Sequence, residues 1–336
     1  MAIARPAAPL RAIEIWLYAC CALVFAMVLL GGITRLTESG LSIVDWRPVT
    51  GWLPPLTDLE WAAVFDAYRE SPEFRKLNFW MELEDFKRIF WLEYLHRLLG
   101  RGIGIVYLLP FLWFVIRYRV PARLTGRLTV LFVLGGAQGV LGWYMVKSGL
   151  VDQPSVSQYR LAAHLGLAVA IYGMMLYTAA GLRGAAAGVP ARAARGLGCL
   201  VFITMIWGAF VSGLDGGAVF NTFPLMDGRL IPPGTLSMSP WWLNLFENIG
   251  MVQFIHRCLA ILTVTTALSL WWKHRSSVSR SPDFIALLAL LQFCLGIATI
   301  LSGASIYIAW AHQAGAMLLF SAAVWIWQGS SGPTSS

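Results

Sequence analysis

Charged residues are scarce in this chain. They make up 12% of its 336 residues, whereas they account for about a quarter of a soluble globular domain. Hydrophobic residues make up 58%, and the mean hydropathy is +0.66. This composition excludes an ordinary soluble domain and predicts a chain embedded in a lipid bilayer. The net charge of +8 is therefore no sign of a nucleic-acid partner, and we expect none.

Cysteine is missing from every segment between the apolar runs. The five cysteines lie inside those runs, where an oxidising compartment cannot pair them, and we interpret them as small buried apolar residues: Cys20, Cys21, Cys199, Cys258 and Cys294. The sequence also lacks a CxxCH motif, which excludes the covalent attachment of a c-type haem.

Long apolar runs are abundant. A helix needs about twenty apolar residues to cross a bilayer, and eight runs meet that length. The sequence therefore predicts an all-α integral membrane protein with eight transmembrane helices. The runs cover roughly 12–33, 91–117, 124–146, 159–182, 194–213, 245–273, 282–302 and 305–328.

Basic residues are concentrated at one side of these spans. The opposite side has only Lys147, Arg160 and Arg229 in its short third and fifth loops. The positive-inside rule then places both termini in the cytoplasm. We expect a bacterial inner membrane, with the first span retained because no small-residue cleavage site follows it. The basic residues of the cytoplasmic side are Arg5, Arg11, Arg117, Arg119, Arg123, Arg127, Arg183, Arg192, Arg195, Lys273, Arg275 and Arg280.

The chain reads as two copies of a four-helix unit. EYLHRLLGRG resembles QFIHRCLAIL, RLAAHLGLAV resembles IAWAHQAGAM, and LGGAQGVLGWYMVKSG resembles LLQFCLGIATILSG. An even number of spans makes the repeat parallel, which predicts two four-helix bundles, 1–182 and 183–336. The long outer loop 34–90 contains a capping-box pattern at Thr57 and Glu60, which predicts a short amphipathic helix.

Four histidines occupy matching positions in the two copies. His96 and His164 lie in the first, and His256 and His312 in the second, all in even-numbered spans and therefore toward the outer side. Ionisable groups at membrane depth are costly, and neutral imidazole is a good axial ligand for haem iron. The pattern favours two haem sites. The alternative is that the histidines are polar links between helices. We interpret the fifth, His274, as solvated.

An arginine follows one histidine in each copy, Arg97 and Arg257. Each could pair with a haem propionate or extend to the lipid headgroups. Glu93 lies three residues before His96, on the same helix face, and its counterpart in the second copy is Gln253. A carboxylate beside one site and an amide beside the other suggests one reactive site and one electron-carrying site. The alternative is a salt bridge from Glu93 to Arg97 or Arg160.

Taken together, these motifs resemble those of the haem A synthases, over about residues 12–328. The resemblance rests on EYLHR, RLAAH, FIHR and AWAHQ in the four even-numbered spans, and on GGITRLTESGLS and NTFPLMDG in the loops. Some members carry a cysteine pair in the first outer loop. This chain has none there, so it is most similar to the alphaproteobacterial and mitochondrial branch.

The resemblance implies an oxidoreductase that converts the ring methyl of haem O to a formyl group for cytochrome oxidase. His96 and His164 would flank the substrate haem O, and Glu93 would be essential to its oxidation. His256 and His312 would ligate a haem b cofactor. Implied partners are haem O synthase, cytochrome oxidase assembly factors and an electron carrier. Two other functions stay open on the residues alone: a non-enzymatic di-haem b electron-transfer subunit, and, less favoured, a haem transporter.

Overall fold

The structure is a computed structural model that describes residues 8–46, 50–118, 120–150, 156–184 and 188–330. Arg5 and Arg119, two of the basic residues used for the topology, lie outside the described residues. The α-helices are α1 (Ala8–Leu36), α2 (Asp58–Arg69), α3 (Leu83–Arg117), α4 (Ala122–Gly149), α5 (Gln158–Arg183), α6 (Ala191–Gly213), α7 (Asn244–Glu247), α8 (Ile249–His274), α9 (Ser281–Leu301) and α10 (Ile306–Ser330).

Eight of these helices are long and apolar enough to cross a membrane, which confirms the predicted all-α membrane fold. They are α1, α3, α4, α5, α6, α8, α9 and α10. No β-strand forms within the described ranges, where a single bridge pairs Met226 with Arg229. The chain is therefore a multi-pass membrane protein.

Local signals explain where several helices begin. The Thr57 side chain accepts from the Glu60 main chain, and the Glu60 carboxylate accepts from the Thr57 main chain, so the predicted capping box is confirmed. Asn248 caps α8 by accepting from the Met251 main-chain N–H. Pro282 occupies the first turn of α9, where its missing N–H costs nothing.

The helices pack as two groups of four. In the first, α1 contacts α3 and α5, and α4 contacts α3 and α5. In the second, α6 contacts α8 and α10, and α9 contacts α8 and α10. The groups meet where α5 and α1 lie against α6 and α10, and one buried apolar cluster extends across both. Arg35 at the end of α1 also donates to Asp215 and to the Ser212 carbonyl, both at 2.6 Å.

A loop cap covers one end of the first group. It consists of α2 and a short π-helix, Phe74–Asn78, packed through aromatic side chains on the first turns of α3. Tyr68 is fully buried there and donates to the Glu73 carboxylate at 2.9 Å, and Asn78 donates to the Tyr68 hydroxyl at 2.8 Å. Glu73 is itself buried, and burial raises its pKa to about 7.

Replacing Glu73 with glutamine should change how the stability of the protein depends on pH. The folded chain keeps the Glu73 proton up to about pH 7, whereas the unfolded chain releases it near pH 4.5. Wild-type stability should therefore fall, by on the order of 1–3 kcal/mol, as the pH rises between those values. In Glu73→Gln this fall should be absent. Thermal unfolding in detergent from pH 5 to 8 measures it, with the exposed Glu70→Gln as control. Parallel pH profiles for wild type and Glu73→Gln would contradict the prediction.

The interpretation of the cysteines as buried is wrong for three of the five. Cys20 and Cys21 are buried in α1, but Cys199, Cys258 and Cys294 lie on outward faces of their helices. In a membrane protein the outward faces meet lipid and are as apolar as the interior. An apolar neighbourhood in the sequence therefore does not separate residues buried in protein from residues that face lipid.

Candidate functional site

A cavity of about 1560 Å³ is lined by residues of both groups of helices. Pockets for drug-sized ligands measure about 300–1,000 Å³, so this one can hold more than one large group. The four histidines predicted as ligands line it, as do Glu93, Arg97 and Arg257. The structure thus brings together all seven predicted site residues. His274 lies apart from them, in the last turn of α8, and is partly exposed.

The imidazoles of His256 and His312 lie close together in the second group. Their ring centres are 6.5 Å apart and their planes are nearly perpendicular, at 88°. Metal–imidazole bonds are about 2 Å long, so two nitrogens that share one metal ion lie about 4 Å apart, with the ring centres somewhat farther. The observed separation therefore leaves room for one metal ion between the two rings.

Each of the four imidazoles rests against a glycine of a neighbouring helix. A Cβ added to that glycine would lie 2.9–3.2 Å from the Cε1 atom of the ring, closer than ordinary van der Waals contact. The pairs are His96 with Gly31, His164 with Gly142, His256 with Gly208, and His312 with Gly296. The two halves therefore place their histidines by the same device.

A glutamine also contacts one histidine in each half. The Gln138 amide nitrogen lies 3.2 Å from Nδ1 of His164 and donates to the His164 carbonyl at 3.0 Å. The Gln292 amide nitrogen lies 3.1 Å from Nδ1 of His312 and donates to the His312 carbonyl at 2.9 Å. Partners at the second ring nitrogen orient a ligating histidine, so these glutamines can hold both rings in place.

Adding a methyl group behind one ring should disturb that half alone. In Gly296→Ala the new Cβ pushes on His312, so we expect a shifted absorption spectrum for a haem held in the second half. Overpacking of this kind costs about 1–3 kcal/mol. Gly142→Ala, which pushes on His164, should leave that spectrum unchanged, and so should Gly135→Ala, whose methyl meets nothing within 4 Å. Equal spectral shifts in all three variants would contradict this placement.

Glu93 is buried and fully hydrogen-bonded. Its Oε2 accepts from the Ser42 hydroxyl at 2.7 Å and from the Ile43 main-chain N–H at 2.8 Å. Its Oε1 accepts from Arg97 Nη2 at 2.6 Å and from Arg97 Nε at 3.0 Å. Of the two salt bridges considered from the sequence, the one to Arg97 forms, while Arg160 lies over the Tyr144 ring. A carboxylate held in this way is fixed in position at the cavity wall.

The matching amide in the second half, Gln253, donates to its loop where Glu93 accepts, while both side chains accept from the arginine four residues later. Gln253 donates from Nε2 to the carbonyls of Gly216 and Val219, at 2.9 and 2.7 Å. Its Oε1 accepts from Arg257 at 3.3 Å. Both side chains therefore anchor the loop above their own half. The first half alone places a carboxylate at this matched position.

The two arginines are held by loop carbonyls. Arg97 donates to the carbonyls of Ile43 and Asp45, and its guanidinium lies over the Trp46 ring. Arg257 donates from Nη2 to the Phe220 carbonyl and from Nη1 to the Thr222 carbonyl. Neither side chain extends to bulk solvent, since Arg257 is buried and the Arg97 side chain is 11% exposed. Each guanidinium places a positive charge at the cavity wall.

The sequence marked Gly142 and Gly296 only as small residues that let helices approach closely, and the role of the glycines and glutamines behind the rings was not predicted. The sequence does contain the same spacing in both halves: Gln138 precedes Gly142 by four residues, and Gln292 precedes Gly296 by four. The segments that contain them were already matched as copies. One helical turn separates the two members of each pair, so both reach the same face of the neighbouring helix.

The residues around the cavity fit bound haem. The spacing of His256 and His312 suits one iron ion, and a porphyrin supplies the other ligands of such an ion. Buried polar atoms in the cavity wall lack a hydrogen-bond partner, among them Oε1 of Gln138, Oε1 of Gln292 and Nδ1 of His96. Such atoms are typical of a ligand site.

The chain is similar to known proteins over nearly its whole length. The profile of the COX15-CtaA family, described as cytochrome oxidase assembly protein, matches residues 14–324. The chain is 47% identical to "Heme A synthase" of Nitrosospira multiformis over 329 residues, which cover 94% of this chain and 92% of that relative. It is 48% identical to "Heme A synthase" of Parvibaculum lavamentivorans, with 96% of both chains covered. "Heme A synthase" of Rhodospirillum centenum is 47% identical, with 96% of this chain and 89% of the relative covered. The chain therefore belongs to the COX15-CtaA family of cytochrome oxidase assembly proteins.

Proposed function

We propose that this chain is an oxidoreductase that converts haem O to haem A by oxidising a ring methyl to a formyl group. The observation that carries the proposal is one cavity with two histidine pairs and a carboxylate, Glu93, where the second half has Gln253. Family membership supports the same reaction. A di-haem electron carrier needs no such asymmetry, and the comparisons do not favour it.

The second half is proposed to hold haem b. His256 and His312 would hold its iron, since their ring centres are 6.5 Å apart and leave room for one metal ion. Gln292 and Gly296 would keep the His312 ring in its orientation. A bound haem b supplies one-electron exchange with the substrate site. The positive charge of Arg257 is available to the anionic propionates of such a group.

The first half is proposed to hold the substrate, haem O. His96 and His164 would bind its iron, and Arg97 would stabilise its propionate charge. The wall between α3 and α4 has open space beside several glycines, where an added methyl meets nothing within 4 Å, and it suits the bulky isoprenoid tail of haem O: Gly104, Gly135, Gly136 and Gly139. Domain boundaries at 1–182 and 183–336 follow from this division.

Glu93 is proposed to handle a proton of the reacting methyl group. Conversion of a methyl to a formyl group adds one oxygen atom and, with water as its source, releases four electrons and four protons. The electrons would leave through haem b to the proposed electron carrier, and the protons need an acceptor in the site. Four hydrogen bonds hold the carboxylate in place and occupy both of its oxygens. The Ser42 hydroxyl also lies within reach of the Ser39 and Ile89 carbonyls, so its rotation toward either would free Oε2 to accept a proton. Glu93 is 3% exposed, so its carboxylate is largely shielded from water.

Cell location and partners follow from the same proposal. The distribution of basic residues places both termini in the cytoplasm of a bacterium, in its inner membrane, with the haem sites toward the periplasm. The substrate would come from a haem O synthase. The product would pass to cytochrome oxidase assembly factors, and an electron carrier would exchange electrons with haem b.

Pigment analysis tests the proposal. Membranes that contain this chain and a source of haem O should accumulate haem A, identified by chromatography of extracted haems. Membranes with the haem O source alone are the control. If the chain binds haem but no haem A forms, the enzyme proposal fails and the electron-carrier function takes its place.

A further inference from the structure

Helix α10 is attached to α1 through two side chains that donate to consecutive main-chain carbonyls. Gln313 Nε2 donates to the Val28 carbonyl at 2.8 Å, and Trp310 Nε1 donates to the Leu29 carbonyl at 3.0 Å. These bonds cross the boundary between the two halves, since α1 belongs to the first and α10 to the second. In lipid, side-chain hydrogen bonds between helices contribute directly to association.

The same contact links residues next to a histidine ligand of each site. On α10, Gln313 directly follows His312. On α1, the Gln313 amide packs on Gly32, where any added Cβ would overlap it. The preceding residue, Gly31, is the one against which the His96 ring rests. Gly31 and Gly32 are adjacent on α1, so the His96 ring and the Gln313 amide contact neighbouring positions of the same helix.

The symmetry-related contact between the halves lacks this polar link. There, Leu165 follows His164 on α5 and packs in an apolar cluster with Ala209 of α6. Ala209 follows Gly208, which supports the His256 ring. Leucine and alanine thus take the places of Gln313 and Gly32. Both pairs join the halves, but the pair beside His312 and His96 has the added restraint of a directional bond.

We propose that Gln313 is a positioning residue that fixes His312 relative to His96 and so sets the geometry between the two haem sites. This inference rests on the proposed function, because it assigns a haem to each histidine pair. A glycine at 32 is required for the contact, since Gln313 reaches the Val28 carbonyl across the space that a side chain would fill. A change at Gln313 should therefore act on both sites.

Exchanging the polar contact for a copy of the apolar one tests this role. Gln313→Leu removes the bond to Val28, and Gly32→Ala with Gln313→Leu reproduces the Leu165–Ala209 pair, so the double variant should fold. In chain loaded with haem O, low-temperature electron paramagnetic resonance and redox titration read the two haems separately. We expect Gln313→Leu and the double variant to shift the signals and midpoint potentials of both.

The matched control is Gln292→Leu, the same substitution beside the same histidine. Gln292 contacts His312 but is not bonded to α1, so its variant should shift the second-half haem alone. If Gln313→Leu also shifts only that haem, or neither, the positioning role is overturned while haem A formation still supports the proposed function.

A measurement that needs no haem tests the contact itself. Gly32→Ala should lower the thermal unfolding midpoint in detergent much more when Gln313 is present than in a Gln313→Ala background, because the shorter side chain leaves room for the methyl. Additive effects would overturn the inference whatever pigments the chain binds. A chain that binds no haem yet shows this coupling would contradict the proposed function and, with it, the role assigned to Gln313 between haem sites.

Discussion

Glu93→Gln is expected to lower the rate of haem A formation by roughly 10²–10⁴-fold, the range for loss of a general base. The amide has almost the shape of the carboxylate, but it cannot accept the proton and cannot accept from both Arg97 and Ile43. Haem in the second half should be retained, because Glu93 belongs to the loop anchor of the first half. The ratio of haem A to haem O in extracted pigments measures the effect, and the spectrum of the purified protein reports the retained haem.

Loss of the loop anchor is the rival explanation for such an effect, and two controls separate it. Ser42→Ala removes one donor to Glu93 but leaves the carboxylate, so haem A formation should fall only a few fold. Gln253→Ala removes the corresponding anchor of the second half and shows what a loosened loop does without loss of a base. Haem A formation at the wild-type rate in Glu93→Gln would show that Glu93 has a purely structural role.

The eight helices could be predicted because their signals are local or periodic, and so could the approach of His256 to His312, whose ring centres lie 6.5 Å apart. Eight apolar runs gave eight helices, and Thr57 and Glu60 marked the start of α2. Placing His256 opposite His312 required only the repeat and the parallel relation of the two halves. In each case one strong physical constraint, the cost of polar groups in lipid, acts on nearly every residue of the segment.

The environment of the site could not be predicted because it depends on irregular main chain. The sequence offered propionates or headgroups as partners for Arg97 and Arg257, and it did not predict the carbonyls of the long loops to which both donate. No side-chain pattern marks which carbonyls a loop will present. The contact between Gln313 and Gly32 joins residues 281 positions apart in sequence, and neither belongs to a periodic pattern.

The salt bridge between Arg35 and Asp215 shows a related limit of prediction from the sequence. Arg35 is conspicuous in the sequence as a charge at the end of an apolar run, yet its partner Asp215 lies in the second half. Since the two halves share one buried cluster, contacts between them determine the shape of the cavity as much as contacts within each half. These contacts cannot be predicted when the two halves are treated as independent bundles.

His256→Ala is expected to remove the resident haem from the purified protein. Loss of an outer partner of a metal ligand reduces affinity by roughly 10–100-fold, and loss of the ligand itself should exceed that. The ring of His312, 6.5 Å away, would then be left as a single axial ligand in a cavity shaped for two. Haem content per chain, measured from the absorbance of the reduced pyridine complex, should fall to near zero, and haem A formation should fall with it.

Two further variants decide whether that haem belongs to the second half. His274 lies on the same helix, in its last turn and outside the cavity lining. The His274→Ala variant should therefore keep the full haem content. His96→Ala should keep the resident haem while losing haem A formation, since His96 belongs to the other pair. If His96→Ala empties the protein of its resident haem and His256→Ala does not, the cofactor sits in the first half and the roles of the two histidine pairs are reversed.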